Sequence, residues 1–543
     1  MIIFVKKHLI EIFFFLSILV FSTWLMFSTF SYKDGFMLIA QKPWGDFASH
    51  IPLIRSFSYG ANFPPEYPIF PNEPIRYHFL FYFLVGMLEK LGLRIDLALN
   101  IPSILSFFFL LTMIYLLSKL IFKNRNIAIV SVLLFLFNSS LSFVYFFQKN
   151  PISFPKSLFD IVKNNTFPAF SPYDSSLISG GFWNLNVFTN QRHFALPLAI
   201  TLFIIYFLVK NELIKKSLSV KLSIIFGIII GTFSFLHGAV FIMSIVILLV
   251  LFILFPHQRK SIFIIGLVTL LTSLPRTIFL LHVESSQIFK FHPGYLLSND
   301  LSFFKWIRYW VLNLGLTIIL APLGFIYSSK LAKKIFTAFS ILFIIGNLFQ
   351  FSPDIATNHK FFNLWLIVVN IYVAYALYRI WKKRIKVLVI VLLFFLIISG
   401  IIDLFPIIND PIYPVADYPK NMDVKWIMDN TPKNAVFLNS SYLYNPVNLA
   451  GRKIFLGWPY YPWSLGYNTL DRETLLKELY NSSDSNFVCR KIRENKIRYI
   501  TFDNSPDPAI KVNREFFLKN FMTIYKNNEN GFIIIDPTKK CNF

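Results

Sequence analysis

The sequence predicts a polytopic α-helical membrane protein of about 11 spans, followed by a C-terminal α/β domain outside the membrane. Hydrophobic residues make up 55% of the 543 positions, and charged residues only 15%. A water-soluble domain cannot bury so large an apolar share, so lipid is the solvent that fits this composition. We therefore assign residues 1–405 to a membrane module and 406–543 to the outer domain.

The apolar stretches of the first 405 residues are each close to the length of roughly 20 residues that a helix needs to cross a bilayer. Lys6 and Lys7 precede the first stretch and no small-residue cleavage site follows it, so we expect it to be retained as a span. The predicted spans are 9–30, 97–118, 127–147, 194–210, 221–237, 239–255, 261–281, 309–328, 335–351, 361–379 and 387–405.

Basic residues between the spans predict the orientation. Loops rich in Lys and Arg stay in the cytoplasm, so the N-terminus is expected inside and the C-terminus outside. Anionic headgroups, rather than nucleic acid, then balance the formal net charge of +24. The inward clusters are Lys119/Lys123/Arg125, Lys215/Lys216/Lys221, Arg259/Lys260, Lys330/Lys333/Lys334 and Lys382/Lys383/Arg384/Lys386.

Residues 77–93 would reverse this orientation if they formed a further span. Their apolar run stops at Glu89 and Lys90 and is short for a bilayer crossing. We interpret them as an interfacial or re-entrant helix at the end of a long first external loop, residues 31–96.

Polar residues are concentrated in three outward stretches, while only His8 and His257 among the nine histidines are expected inside. A helix over 46–56 would place Asp46 and His50 one turn apart on one face. The arrangement predicts a site for a charged substrate. The alternatives are that Asp46 caps a helix, and that Arg192 and Lys360 are interfacial anchors. The candidates are Asp46, His50, Arg55, Arg76 and His78 in the first loop, Gln191, Arg192 and His193 before the span at 194, and His359 and Lys360 before the span at 361.

The tail after residue 405 has the texture of a small α/β domain. Predicted strands at 435–438, 453–456, 498–502 and 531–535 alternate with helices near 423–429, 472–481, 486–495 and 513–520. Cys489 and Cys541 could form one bridge there. The aromatic run 457–463 could contact carbohydrate or the membrane surface.

These features resemble the type C (GT-C) membrane glycosyltransferases, which include protein O-mannosyltransferases, aminoarabinose transferases and oligosaccharyltransferases. The resemblance rests on the inward N-terminus, the acidic residue of Trp44-Gly45-Asp46-Phe47 soon after the first span, the Pro-containing stretch that follows and the outward tail. It implies that Asp46 acts as catalytic base or metal ligand. A second acidic site of the family has only Asp160 and Asp174 as candidates, without an Asp-x-Asp or Glu-x-Asp pattern.

The resemblance implies transfer of a sugar from a polyprenyl-phosphate donor to a lipid, glycan or protein acceptor at the outer face of the plasma membrane. Asp46 would remove the acceptor proton, and the basic and histidine candidates would hold the phosphate. A divalent cation is a candidate cofactor, with Asp46, His50 and Asp174 as candidate ligands. No nucleotide-binding or zinc motif occurs, which disfavours a cytoplasmic nucleotide sugar.

Two other classes of function stay open. A transporter or flippase for lipid-linked saccharides would use the same outer polar residues for binding alone. A non-catalytic cell-envelope assembly protein would use the tail to bind partners.

Overall fold

The computed structural model describes residues 2–137, 139–166, 177–281, 289–504 and 506–541. Two compact units make up the chain. Unit 1 contains Met1–Thr29, Asn100–Thr277 and Phe289–Pro411. Unit 2 contains Phe30–Leu99, the described part of Ile278–Ile288, and Ile412–Phe543. Thus the whole of the first loop, residues 31–96, groups with the tail.

Helices dominate the described residues up to 411. They are α1 (Ile2–Thr29), α2 (Trp44–Ser58), α3 (Leu80–Lys90), α4 (Ile95–Phe122), α5 (Arg125–Leu136), α6 (Ser142–Lys149), α7 (Lys156–Val162), α8 (Asn184–Asn190), α9 (Ala195–Leu213), α10 (Val220–Leu236), α11 (Gly238–Leu254), α12 (Arg259–Leu281), α13 (Phe303–Leu314), α14 (Thr317–Ile326), α15 (Lys330–Leu348), α16 (His359–Lys382) and α17 (Lys386–Ile408).

Shorter helices alternate with strands in the tail. The tail helices are α18 (Met422–Asn430), α19 (Pro446–Leu449), α20 (Tyr460–Ser464), α21 (Leu470–Asn481), α22 (Ser485–Glu494), α23 (Arg514–Asn520) and α24 (Thr538–Cys541). The strands of the chain are β1 (Phe30–Lys33), β2 (Phe36–Ala40), β3 (Glu66–Tyr67), β4 (Phe70–Pro74), β5 (Lys290–Phe291), β6 (Phe349–Gln350), β7 (Ile412–Ala416), β8 (Val436–Leu438), β9 (Lys453–Ile454), β10 (Tyr499–Phe502), β11 (Met522–Lys526) and β12 (Ile533–Asp536).

Seven helices of the described residues are long and apolar enough to cross a membrane: α1, α4, α9, α12, α15, α16 and α17. The pair α13 and α14 would be an eighth span, bent by 84° at its break. Helices α5, α10 and α11 are apolar but shorter. All the predicted spans therefore overlap apolar helices, and the chain is an integral membrane protein. The number of spans and their orientation stay predictions.

Two predicted spans, 127–147 and 309–328, are not continuous helices, and whether each crosses the membrane stays a prediction. Helix α5 has only 12 residues and ends at Leu136. Helices α13 and α14 are separated at Gly315, whose φ is +52°. A Cβ atom on Gly315 would lie 2.1 Å from the carbonyl oxygen of Ser139, so only glycine fits this close approach.

Polar side chains satisfy the backbone groups that these breaks release. Asn370 Nδ2 donates to the Leu134 carbonyl at 3.2 Å, and Asn184 Nδ2 donates to the Phe135 carbonyl at 2.6 Å. Ser139 Oγ donates to the Leu314 carbonyl at 2.8 Å. Because unpaired backbone groups are costly away from water, broken helices persist in an apolar region only with such partners.

Helix α3 corresponds to the segment that could have reversed the topology. It has 11 residues, which span roughly 17 Å at 1.5 Å per residue, too little to cross a bilayer. Its place at the membrane interface stays a prediction.

The tail sheet has the strand order β11-β12-β10-β8-β9. Strand β8 pairs in parallel with both β10 and β9, whereas β12 pairs antiparallel with β10 and β11. The strands and helices predicted for the tail are confirmed, and the tail has further elements that were not predicted: β7, β11, α19, α20 and α24. The predicted bridge joins Cys489 to Cys541.

Arg55 is the buried ionic centre of unit 2. Its Nε atom lies 3.1 Å from Glu89 Oε1 of α3, and its Nη2 atom lies 2.6 Å from Asp417 Oδ2, directly after β7. The Arg55 side chain is 1% exposed. These contacts connect α2, α3 and the strand that leads into the tail. The first loop and the tail are thus joined by charge as well as by the antiparallel sheet β1-β2-β7.

Protonation can balance this ionic centre. Burial lowers the pKa of Arg55, but Glu89 and Asp417 outweigh that effect and raise it, so the guanidinium stays charged. Burial raises the pKa of Glu89, against the opposing charge of Arg55. Because one cation faces two carboxylates, Glu89 takes up a proton more readily than a free glutamate does.

We expect Arg55→Met to destabilise unit 2 by about 3–5 kcal/mol, because it leaves two buried carboxylates without their cation. Glu89→Gln should cost much less, because the amide replaces a carboxyl group whose pKa is raised. Thermal unfolding of the full chain in nanodiscs measures both effects. Lys477→Met, which removes a partly exposed ion pair with Glu473, is the control and should leave the midpoint nearly unchanged. Equal midpoints for Arg55→Met and the control would contradict this role.

Candidate functional site

Asp46 lies in the first turn of α2 and is half-buried. The N-cap position is Pro43, and no side chain caps the helix. The alternative in which Asp46 is the N-cap residue therefore does not describe the structure. A carboxylate in a first turn still gains from the positive end of the helix dipole.

Four tyrosines lie close enough to Asp46 for its negative charge to raise their pKa values. Burial raises the pKa of Tyr77, Tyr82, Tyr444 and Tyr461, and the negative charge of Asp46 raises each further. Their hydroxyls therefore stay protonated and act as hydrogen-bond donors near a carboxylate. We call Asp46, His50, Tyr77, Tyr82, Tyr444 and Tyr461 the Asp46 cluster; all belong to unit 2.

His50 is held by two members of this cluster, one turn of α2 beyond Asp46. Its Nε2 atom lies 3.3 Å from the Tyr77 hydroxyl. Its ring stacks on Tyr82 with centroids 4.6 Å apart. His78 also lies beside the cluster, with its ring 3.9 Å from that of Tyr77. The structure thus brings Asp46, His50 and His78 into one region of unit 2.

Tail residues fix the N-terminal turn of α2. The Tyr444 hydroxyl donates to the Trp44 carbonyl at 2.6 Å, and the Tyr461 hydroxyl donates to the Gly45 carbonyl at 2.7 Å. The first-loop carboxylate therefore has a position defined by the tail. A half-buried carboxylate whose helix turn is held in this way is suited to accept a proton from a bound hydroxyl.

Sequence reasoning left the four tyrosines out of the candidate site. Tyr77 lies between the selected Arg76 and His78, and Tyr461 lies in the aromatic run of the tail. These neighbours were the available signals, but neither identifies Asp46 as the partner.

Arg55 and Arg76 are engaged within unit 2. Arg55 is the ionic centre described above. Arg76 Nη1 donates to the Gly466 carbonyl, and its Nη2 atom lies 3.2 Å from Glu73 Oε2. Its guanidinium also stacks over Tyr467 at 4.3 Å. Both arginines serve to hold the loop and tail together, and we do not include them in the proposed site.

Arg192 has an equally complete set of contacts in unit 1. Its Nε atom donates to the Thr189 carbonyl at 2.7 Å, and Nη1 contacts Met26 Sδ at 2.5 Å and Asn100 Oδ1 at 3.2 Å. Its Nη2 atom donates to the Met26 carbonyl at 3.1 Å and to Thr29 Oγ1 at 2.8 Å. A guanidinium has five N–H donors. We therefore assign Arg192 to fixing the C-terminal end of α1, where a positive charge is favourable.

Three histidines and a lysine form a second group in unit 1, the histidine–lysine cluster: His193, His237, His359 and Lys360. The rings of His193 and His237 stack with centroids 5.2 Å apart, and each residue is 1% exposed. Lys360 acts electrostatically on both His237 and His359. His237 was not among the candidates from the sequence, although its predicted outward position was a usable signal.

Hydrogen bonds hold His359 in this cluster. His359 Nδ1 lies 2.6 Å from Asn363 Oδ1, and Asn363 Nδ2 donates to the Gly181 carbonyl at 2.9 Å. Gln191, next to Arg192, has a buried Oε1 atom with no hydrogen-bond partner among the described residues. Concentrated imidazole and ammonium groups suit an anionic ligand such as a phosphate.

The candidate cation ligands do not assemble a recognisable site in the described residues. The Asp46 cluster offers one carboxylate and one imidazole, and its remaining members are protonated phenols. Mg²⁺ and Ca²⁺ prefer several carboxylate or carbonyl oxygens, so this set does not fit them. Asp174, the third candidate ligand, lies outside the described residues, and Asp160 lies in α7 of unit 1.

Comparisons with known proteins give a match in structure. No protein-family model and no curated protein sequence matches the chain. Two structures of the arabinofuranosyltransferase AftD from Mycobacteria, one of a mutant, are similar at TM-scores of 0.58 and 0.55, each with 11% sequence identity. Both matches cover 96% of this chain, but only 41% and 39% of AftD.

An oligosaccharyltransferase from Archaeoglobus fulgidus matches over 90% of this chain and 68% of its own, at 12% identity. The TM-score of this match is 0.47. The likeness to AftD bears out the resemblance drawn from the first loop and the tail. Although it spans about two fifths of AftD, this chain has the fold of the GT-C type membrane glycosyltransferases.

Proposed function

We propose that this protein is a membrane glycosyltransferase that moves a sugar from a polyprenyl-phosphate donor to an acceptor on the extracytoplasmic side. The observation that carries the proposal is the half-buried carboxylate of Asp46, fixed in the first turn of α2 among four protonated tyrosines. The fold shared with AftD supports it.

Asp46 acts as the general base. The acceptor hydroxyl oxygen forms a bond to the anomeric carbon of the donor, and its proton passes to the Asp46 carboxylate. The bond between that carbon and the phosphate oxygen breaks, and its electron pair leaves with the polyprenyl phosphate. His50, Tyr77 and Tyr82 orient the acceptor hydroxyl, and the hydrogen bonds of Tyr444 and Tyr461 to the backbone of α2 keep Asp46 in place.

The leaving phosphate gains negative charge as this bond breaks, so it needs cations or hydrogen-bond donors. Within unit 1, the histidine–lysine cluster has the chemistry that suits such a phosphate. Lys360 provides a permanent positive charge, and His193, His237 and His359 provide imidazole N–H groups. The donor lipid remains in the bilayer during the reaction.

The basic loops are predicted to lie in the cytoplasm, and this orientation places both the Asp46 cluster and the tail outside the plasma membrane. The bridge between Cys489 and Cys541 supports an oxidising compartment for the tail. The acceptor belongs to the class of lipid, glycan or protein hydroxyls.

One observation favours the alternative of a transporter for lipid-linked saccharides. Helices α13 and α14 meet at 84° around Gly315, and discontinuous helices of this kind form the binding sites of many transporters. Binding and movement of a labelled lipid-linked sugar without release of polyprenyl phosphate would identify this function.

We expect Asp46→Asn to lower the rate of polyprenyl-phosphate release by about 10²–10⁴-fold, because an amide cannot act as the base. The assay uses full-length protein in nanodiscs with labelled polyprenyl-phosphate sugars. Asp34→Asn is the matched control: the same charge is lost from an exposed turn of the same loop, where the φ of 52° suits asparagine. A variant at Asp46 that turns over as fast as the control excludes Asp46 as the base.

Lys360→Met should raise the KM for the donor by about 10–100-fold, through loss of a charged contact to phosphate. Lys290→Met, which removes an exposed lysine of β5 in the same unit, should leave the KM unchanged. Initial rates over a range of donor concentrations measure both variants. The phosphate role of the histidine–lysine cluster fails if the two variants show the same KM.

A further inference from the structure

The tail sheet has a chemically distinctive carboxyl edge. Strands β9, β8 and β10 run parallel, so the segments that follow them emerge on the same side of the sheet. Ligands of open α/β sheets bind at this side. We define the carboxyl edge by Tyr442 after β8, Trp458, Tyr460 and Trp463 after β9, and Asp503 and Asp507 after β10.

Three aromatic rings of this edge face solvent. Trp458 and Trp463 are each 43% exposed, and Tyr460 is 39% exposed. The rings of Tyr460 and Trp463 have centroids 5.8 Å apart, and Trp458 meets Tyr442 edge to face at the same distance. Large aromatic residues concentrated within six positions and left exposed mark a binding surface.

Polar groups lie within the same edge. Asp503 Oδ2 accepts a hydrogen bond from Ser440 Oγ at 2.8 Å. The Tyr442 side chain is buried, yet its hydroxyl has no hydrogen-bond partner among the described residues. Burial raises the pKa of Tyr442, and Glu473 and Asp507 raise it further, so the hydroxyl stays a donor. Buried hydroxyls normally have hydrogen-bond partners, so we expect a bound ligand to supply the partner of the Tyr442 hydroxyl.

This edge is continuous with the Asp46 cluster. Tyr444, in the segment after β8, donates to the Trp44 carbonyl, and Tyr461, in the segment after β9, donates to the Gly45 carbonyl. Both carbonyls belong to the turn of α2 that carries Asp46. A molecule bound at the carboxyl edge therefore lies beside the proposed base.

We propose that the carboxyl edge binds the acceptor and that this acceptor is a saccharide, a specification that rests on the proposed transferase function. Exposed indole and phenol rings stack on the apolar faces of sugar rings, and the polar groups suit sugar hydroxyls. Docking on the membrane is the competing use of the same aromatic rings. Glu473 and Asp507 place negative charge at this edge, which opposes anionic headgroups but not a neutral sugar.

The test is saturation-transfer NMR with the full chain in nanodiscs and tetrasaccharides of mannose, arabinose, glucose and N-acetylglucosamine as probes. We expect at least one tetrasaccharide to bind, and Trp458→Ala or Trp463→Ala to weaken its binding about tenfold each. Leu518→Ala, at a tail residue that is also 43% exposed, is the control and should bind as the native chain does. Circular dichroism and size-exclusion profiles identify any variant that misfolds, and Trp463→Phe should keep part of the binding.

Binding does not require turnover, so saccharide binding and sugar transfer are measured separately. Saccharide binding without any transfer would leave this inference standing while refuting the proposed function. Transfer by the native chain, with Trp458→Ala and Trp463→Ala binding like the control, would refute the inference alone. Absence of binding by all four probes would also overturn it. The inference would fail as well if brominated lipids quenched a tryptophan fluorescence signal that is lost in Trp458→Phe and Trp463→Phe, because these rings would then lie in the membrane.

Discussion

The ion pairs of Arg55 with Glu89 and Asp417 are the interactions on which the organisation of unit 2 depends. They join three segments that are distant in sequence: the helix that carries Asp46, the helix α3 and the chain leaving β7. A buried guanidinium is costly unless its carboxylates are in place, so the three segments must assemble together. The hydrogen bonds from Tyr444 and Tyr461 to the first turn of α2 then fix the carboxylate that we propose as the base.

In unit 1, which is largely apolar, the stability of the helices depends on hydrogen-bonding every backbone group. Its interrupted helices remain possible because asparagine and serine side chains bond the released carbonyls, as Asn184 and Asn370 do for α5. Arg192 performs a similar task at the C-terminal end of α1. Several polar residues inside apolar segments therefore have structural duties, and the histidine–lysine cluster stands out because it combines ionisable groups from three separate segments.

Apolar length and strand alternation predicted the helices of the membrane region and the order of strands and helices in the tail, because both signals are local. The breaks near Ser139 and Gly315 could not be predicted in the same way, since each depends on the close approach of a distant segment. The role of Asp46 was suggested by its place in the first loop. Its tyrosine partners were not, because Tyr444 and Tyr461 lie 400 and 416 positions from the carbonyls they contact. Arg55, Arg76 and Arg192 were predicted as ligands of a charged substrate, whereas the structure engages each of them in contacts within its own unit. Local sequence does not distinguish a ligand contact from a structural one.

Sidedness is the claim on which the mechanism depends, because a polyprenyl-phosphate donor presented outside requires Asp46 outside. The native cysteines are bridged to each other, so one introduced thiol reports its own location. Phe63, which is 84% exposed and lies in unit 2 near the end of α2, is a suitable position. Labelling of Phe63→Cys with a membrane-impermeant maleimide in intact cells should be complete before permeabilisation. Labelling that occurs only after permeabilisation would contradict the account.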